Sequence, residues 1–313
     1  MQPKIHEWKL DQMFLATMYK DIISTGTWTY NRAKTRASRG KDDVNPDLFD
    51  ALMSAKDHKR GREYNMKDLW IESMLLLPAG KSHPLSSPIN NNKKANMFPG
   101  ADTTSTTMSA AFFFLLHRPE TLARATAEVR EAFTNGDDIN HAAQVNCCKF
   151  LQACINETMR LVPAVPLASP RSVETGGITV AGHYIPAGTT VGTSMYTMQR
   201  NPKYFSNPNS FCPERWLIDP ASGVTEKSVN RALQAFAPFS IGPRTCVGWK
   251  LGWMELNVVL ARTLLLYDMR IAPGAPCCAN RNTSVAGGEC QYSMKAWAIM
   301  AREGPIVQFR RAR

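Results

Sequence analysis

With 313 residues, 44% of them apolar and 20% charged, the chain has an ordinary globular balance and room for one large core or two medium ones. Its formal charge of +11, from 37 basic and 26 acidic residues, admits a nucleic acid, an anionic membrane or an acidic protein as partner. No helix-turn-helix, zinc-finger or aromatic-basic RNA signature accompanies that charge, which argues against nucleic acid.

The opening "MQPKIHEWKL" lacks the apolar core of a signal peptide. "DLFDALMSAKD" (Asp47 to Asp57) puts Leu48, Phe49, Leu52 and Met53 on one helical face, and "MKDLWIESMLLL" (Met66 to Leu77) reads as a second helix after a polar loop. A polar, Pro- and Asn-rich stretch follows, up to "GADTTS". "DTTSTTMSAAFFFLLH" then reads as a largely buried helix, apolar over most of its surface. Its apolar run, Met108 to Leu116, is the longest in the chain and too short to span a membrane. "RPETLARATAEVREAF" begins a helix with Pro119 in its first turn and Glu120 beside it, where the dipole favours an anion. "NCCKFLQACINETMRL" is another, with Phe150, Leu151, Cys154, Ile155, Thr158 and Met159 at helical spacing.

The period then changes. "GGITVAGHYIPAGTTVGTS" alternates and carries Gly and Pro punctuation, as short strands joined by turns do. "NPKYFSNPNSFCPERW" reads as a Pro-rich, aromatic, ordered loop. "CVGWKLGWMELNVVLARTLLLYDM" returns to helix, with Leu251, Met254, Val258, Val259 and Ala261 expected inward, and the tail "GPIVQFRRAR" offers a last strand. No repeats are visible. The expected fold is one mainly α domain with small β-sheets.

The eight cysteines are too scattered for a small disulfide framework, and none has the C-x-x-C spacing of a zinc ribbon. The adjacent pairs at 147/148 and 277/278 read as reduced cysteines without a special role.

Cys246 is different. In "FSIGPRTCVG" two glycines, Gly242 and Gly248, bracket it just before a long helix. A helix N-terminus stabilises a thiolate, and glycines let the backbone approach something large and flat. Arg244, two residues earlier, suits an anion on the same ligand. A thiolate on haem iron, with an arginine for a haem propionate, fits each element.

The spacing Phe239-x-x-Gly242-x-Arg244-x-Cys246-x-Gly248 resembles the haem-ligand signature of the cytochrome P-450 monooxygenases. Two further matches support the resemblance. Glu157 and Arg160, in "ETMR", resemble the E-x-x-R of that family's K helix, and Arg215 of "PERW" the third member of its fold-locking Glu-Arg-Arg cluster. "GADTTS" resembles the segment that crosses the distal face of the haem. There the resemblance gives Thr103 and Asp102 the task of holding water and delivering protons to bound dioxygen. Arg171, in "SPRSV", resembles a propionate-contacting arginine. In "MQRNPKYF" Gln199 stands where the family usually has His, with Arg200 kept, which implies one weaker propionate contact.

The resemblance implies a cytochrome P-450 fold, incomplete at the N-terminus, holding haem b with Cys246 as the axial iron ligand. Electrons would come from NADPH through a flavoprotein reductase. The substrate would be a small apolar molecule, a terpenoid, polyketide or alkaloid, in a monomeric fungal enzyme of secondary metabolism. The resemblance implies the endoplasmic reticulum membrane for full-length relatives; with no anchor read in this chain, the expectation is the cytoplasmic side or a location the sequence does not give. The alternative is an inactive truncated fragment or pseudogene product.

The organisation expected is a partial distal helical region over 1–80, an insert over 81–99 and the haem-binding core over 100–313, the last two in one domain with the first. Removing Lys81 to Pro99 and merging the flanking glycines leaves "LLLPAGADTTST", the family's unbroken pattern. Pro99 would otherwise fall inside a helix, where proline costs about 3 kcal/mol. Gly80-Lys81-Ser82 can encode a splice donor, Ala95-Asn96 a branch sequence and Pro99-Gly100 an acceptor, so the insert reads as a retained fungal intron. A loop of that length inside a compact domain is uncommon.

Overall fold

The computed structural model describes residues 30–31, 34–35, 37–38, 53–54, 61–66, 69, 99–273, 292, 294–296, 300–302 and 304–312. The chain divides into two units, Met1–Phe98 and Pro99–Arg313. In the first, Met53 and Ser54 are helical, as are Met66 and Leu69, and Leu69 is buried. The rest of both expected helices, and positions 81–98 of the insert, lie outside the described residues.

The second unit is built on four long helices. A stretch that is hydroxyl-rich in its first half and apolar in its second forms α1, Pro99–Leu116. Here the sequence expectation is corrected: Pro99 opens the helix rather than interrupting it. In the first turn its missing N–H would have no helical acceptor in any case, so the interior penalty does not arise. Helix α2, Pro119–Ala132, starts as expected, with Pro119 in its first turn and Glu120 beside it. Helix α3, Lys149–Leu161, buries Phe150, Leu151, Cys154, Ile155, Thr158 and Met159 as its spacing requires, and also buries Glu157 and Arg160. Its N-cap residue, Cys148, contributes no side-chain cap. The free N–H groups of Phe150 and Leu151 donate instead to the Glu128 carboxylate of α2, at 2.8 and 2.9 Å.

After α3 come strands β1 (Arg171–Ser172), β2 (Ile178–Val180), β3 (His183–Ile185) and β4 (Thr190–Val191). β2 and β3 form a hairpin, with Val180 opposite His183. Its two turn residues, Ala181 and Gly182, both take positive φ, 49° and 83°, which matches the twist of the strands they join. β1 pairs antiparallel with β4. A short helix α4 (Met195–Met198), a loop that buries Phe205 and Phe211, and helix α5 (Glu226–Gln234) lead to the last long helix, α6 (Trp249–Leu266). β5 (Tyr267–Ile271) pairs with β8 (Val307–Arg311), so the tail does supply a strand; β6 (Met294–Ala296) pairs with β7 (Met300–Arg302).

The core lies where α1, α2, α3 and α6 meet, around Phe113, Phe114, Val129, Leu151, Ile155 and Leu260. Phe114 stacks on Phe211 at 4.6 Å, and the Arg118 guanidinium lies over both rings. The inward stripe of α6 differs from expectation. Leu256, Asn257, Leu260, Ala261 and Leu264 are buried, whereas Leu251 and Val259 are 50% and 39% exposed. The helix is apolar nearly all round, so periodicity could not choose its inner face. No described helix is long and apolar enough to cross a membrane.

Two arginines from different elements clamp Asp268 on β5, Arg130 at 2.9 Å and Arg310 at 3.0 Å. Their hydrogen bonds, Arg130's first, hold its carboxyl below the usual range. A depressed carboxylate adds stability above its unfolded value, and that stability is lost as pH falls through the lower folded value. Asp268→Asn is therefore expected to flatten the decline of stability below about pH 4. Urea unfolding of parent and variant across that range checks it; coincident acid limbs would refute the linkage.

Candidate functional site

Residues Phe239 to Gly248 form a loop held by its own backbone. The Cys246 N–H donates to the Phe239 carbonyl at 2.8 Å, and the Cys246 carbonyl accepts from Trp249 at 3.4 Å, where α6 begins. Between them Ser240 and Gly242 take positive φ, 62° and 75°, and Gly242–Arg244 makes one 3-10 turn. Gly242 meets that φ without a Cβ penalty; Ser240 bears one. The result presents the Cys246 thiol on the surface. Among the described cysteines Cys148 and Cys154 are buried, and burial raises the thiols of Cys154 and Cys212 above the ordinary range.

The surroundings of Cys246 are apolar but uncovered. Ile241 is 76% exposed and Val247 73%, with Trp249 and Leu251 also exposed. Four large exposed apolar side chains within five residues of one accessible thiol leave uncovered apolar surface in the same segment as a soft metal ligand. That donor set fits a flat, apolar, iron-bearing macrocycle such as haem. Arg244 and Arg171 are both exposed and have no ion-pair partner among the described residues; Arg171 bonds only the Pro170 carbonyl, at 2.9 Å. Both remain free to meet an anion.

The "GADTTS" segment forms the first turns of α1. Thr103 and Thr104 hydroxyls both donate to the Gly100 carbonyl, at 3.2 and 2.9 Å. Asp102 is half-buried in the first turn and makes no ion pair among the described residues. The link between this segment and the cysteine loop is Gly252 on α6. A Cβ built there would lie 3.7 Å from the Phe239 ring and 3.9 Å from the Thr104 hydroxyl. Phe239, the first turn of α6 and the first turns of α1 therefore converge. Thr104, which sequence reasoning did not single out, is the threonine nearest this junction. Those distances are ordinary contacts, and glycine inside a helix costs about 1 kcal/mol relative to alanine. Gly252→Ala is expected to stabilise the chain by about 0.5–1 kcal/mol in urea unfolding; destabilisation would show that the junction is tighter than its geometry indicates.

Glu157, Arg160 and Arg215 are joined in one network. Glu157 Oε1 accepts from Arg160 at 2.8 Å, the Cys212 N–H at 2.9 Å and Arg215 at 3.1 Å; its Oε2 accepts from Arg160 at 2.8 Å and the Trp216 indole at 3.0 Å. Arg160 also donates to the carbonyls of Gln199, Pro208 and Ser210, at 2.8, 2.6 and 3.1 Å. These carbonyls were not legible in the sequence, because a backbone acceptor leaves no residue-type signal, and sequence reasoning did not single out Trp216 for a role there. Gln199 is fully buried, and its amide donates to the carbonyls of Met159 and Arg160 at 3.3 and 3.4 Å. Arg200 donates to Leu161 and lies over the Tyr196 ring at 3.8 Å, its pKa lowered by burial. Both residues latch the end of α3, while Gln199 Oε1 and one Arg200 guanidinium nitrogen are buried without a hydrogen-bond partner among the described residues.

A profile of the family "Cytochrome P450", here written P-450, matches residues 86–292. The cytochrome P-450 monooxygenase poxM of Penicillium oxalicum is 33% identical over 278 residues, 89% of this chain and 47% of that protein. A cytochrome P-450 monooxygenase of Gibberella zeae is 30% identical over 99% of this chain and 66% of its own length. Trichothecene C-15 hydroxylase of Fusarium sporotrichioides is 39% identical over 59% of this chain and 36% of its own length. The chain thus spans about half the length of several curated relatives. Among solved structures, the crystal structure of a cytochrome P-450 (CYP102L1) superposes with a TM-score of 0.70 at 17% identity, covering 96% of this chain and 58% of that one.

Proposed function

The chain belongs to the cytochrome P-450 family, and from that membership we propose that it is the haem-binding part of a monooxygenase that hydroxylates a small apolar molecule in fungal secondary metabolism. The observation that carries the proposal is the exposed Cys246 thiol at the head of α6, with exposed apolar side chains at Ile241, Val247, Trp249 and Leu251 near it in the chain. When bound, haem held by a thiolate would supply dioxygen activation.

The chain's own residues do the rest. Cys246, as thiolate, would hold the iron. Gly242 and Gly248 let the loop lie close to the macrocycle, and Phe239 closes the junction with α1. Arg244 and Arg171 pair with propionates. Asp102 holds and relays a proton, and Thr103 orients it, from the first turns of α1. The Glu157, Arg160 and Arg215 network holds the loop after α3 in place. Electrons come from NADPH through a flavoprotein reductase, and the +11 charge suits an acidic docking partner. The trichothecene hydroxylase among the relatives favours a terpenoid over a polyketide or alkaloid.

The test is carbon-monoxide difference spectroscopy on the reduced chain after loading with haem. A thiolate-type Soret band is expected. Failure to take up haem would overturn the proposal and leave an inactive product of a monooxygenase gene. We also propose that Lys81 to Pro99 derive from a retained intron. Transcript sequence running from Gly80 directly into Ala101 is expected; a mature message that keeps the segment and genomic sequence without splice sites would refute it.

A further inference from the structure

We propose that Cys147 and Cys148 form a reversible redox site, in which peroxide closes a disulfide between the two neighbouring residues. This inference does not rest on haem binding. Cys147 ends the 3-10 turn Gln144–Cys147, and Cys148 stands at the N-cap of α3. Their sulfurs lie 3.9 Å apart in thiol–thiol contact. A disulfide needs about 2.05 Å, so closure takes side-chain rotation and a local turn of one peptide.

The two thiols are unequal, which sets the order of events. Cys147 is exposed and Cys148 is fully buried. Burial, and then the neighbouring Cys147, push the Cys148 thiol up to about 12, so by itself it is protonated and inert. Cys147 is therefore the sulfur a peroxide reaches. Its thiolate attacks one peroxide oxygen, giving a sulfenic acid and releasing water or an alcohol. The Cys148 sulfur then attacks the sulfenic sulfur, the S–S bond forms, and the hydroxyl leaves as water with the Cys148 proton. Two thiols lose two electrons and two protons, and one peroxide is reduced.

Adjacent Cα atoms across a trans peptide are about 3.8 Å apart, below the roughly 4.4–6.8 Å of a relaxed disulfide. The closed ring is strained, so thiols reopen it easily, which makes the site reversible rather than structural. Its position gives it leverage. The Cys148 N–H donates to Val145 at 3.0 Å and its carbonyl accepts from Gln152 at 3.1 Å. Turning the Cys147–Cys148 peptide weakens that entry into α3, the helix that carries Glu157 and Arg160.

The experiment treats the full chain with hydrogen peroxide, quenches with iodoacetamide in denaturant so that buried Cys148 is reached, and maps the peptides by mass spectrometry. The peptide holding both cysteines is expected to lose two hydrogen atoms and both alkylation sites, and dithiothreitol to restore them. The oxidised chain is expected to melt about 2–4 °C lower, reversibly, if one hydrogen bond is lost. Cys148→Ser should stop at a sulfenic acid on Cys147 that dimedone traps, and Cys147→Ser, an exposed change, should leave Cys148 unoxidised. Cys147 trapped by dimedone in the parent while Cys148 still alkylates would overturn the proposal. So would a disulfide from either residue to another cysteine or another chain.

Discussion

Cys246→Ser abolishes the thiolate-type carbon-monoxide spectrum while leaving the fold standing. The two effects separate because the sulfur and the backbone of Cys246 do different things. Its N–H bond to Phe239 and its carbonyl bond from Trp249 belong to the main chain, and serine makes both. The thiol is exposed and closes no cavity, so the variant is expected within about 0.5 kcal/mol of the parent in urea unfolding of the haem-free chain. A neutral hydroxyl cannot replace the electron donation of a thiolate. Changing even an outer-shell partner of a metal ligand costs about 10–100-fold, so losing the ligand itself is expected to cost more than about 100-fold in turnover. An unchanged carbon-monoxide spectrum in Cys246→Ser would place the ligand elsewhere. A collapse in stability would mean the thiol is a packing element.

Arg160→Ala is expected to cost about 3–5 kcal/mol, a large part of the roughly 5–15 kcal/mol that holds a domain together. Arg160 and Glu157 side chains are both 0% exposed. All five guanidinium N–H groups have acceptors: two bonds reach Glu157, and the others reach the carbonyls of Gln199, Pro208 and Ser210. Truncation leaves a buried carboxylate short of its main partner and three carbonyls without theirs. Lysine has three donors and no planar fork, so Arg160→Lys is expected to recover only a minor part. Arg215 gives a graded control. It is 9% exposed and gives Glu157 one bond, at 3.1 Å, so Arg215→Ala should cost about 1–3 kcal/mol. Denaturant unfolding of the three variants tests the ranking. Equal losses for Arg160 and Arg215 would show that one carboxylate contact, rather than the whole set, sets the cost.

The long helices and the strands between Arg171 and Val191 were readable because periodicity, punctuation and end signals agree there; Tyr267 to Met269, expected to continue the last helix, instead open strand β5, and α5, β6 and β7 were not read from the sequence. Pro119 and Glu120 open α2, and Gly and Pro divide the strands between Arg171 and Val191. The cysteine loop was readable for another reason. A surface thiol at a helix start needs particular residues at fixed spacing, and Gly242 at φ 75° leaves a direct mark in the sequence. The Glu157–Arg160 pair was readable only in part. Spacing of three on a helix brings the two together, but not the burial that makes the pair decisive.

By itself, then, the sequence determined most of the long helices from Pro99 onward and the residues that accompany Cys246 at short spacing, since these depend on local sterics and on side-chain type. The tertiary structure decided what depends on neighbours distant in the chain. It chose the inner face of α6, where apolar residues lie on every side. It brought Glu128 from α2 to cap α3, and Thr104 to the junction at Gly252. It drew backbone carbonyls 39 to 50 residues away onto Arg160. Backbone acceptors are the same at every position, so only folding distinguishes the ones that a buried charge will find.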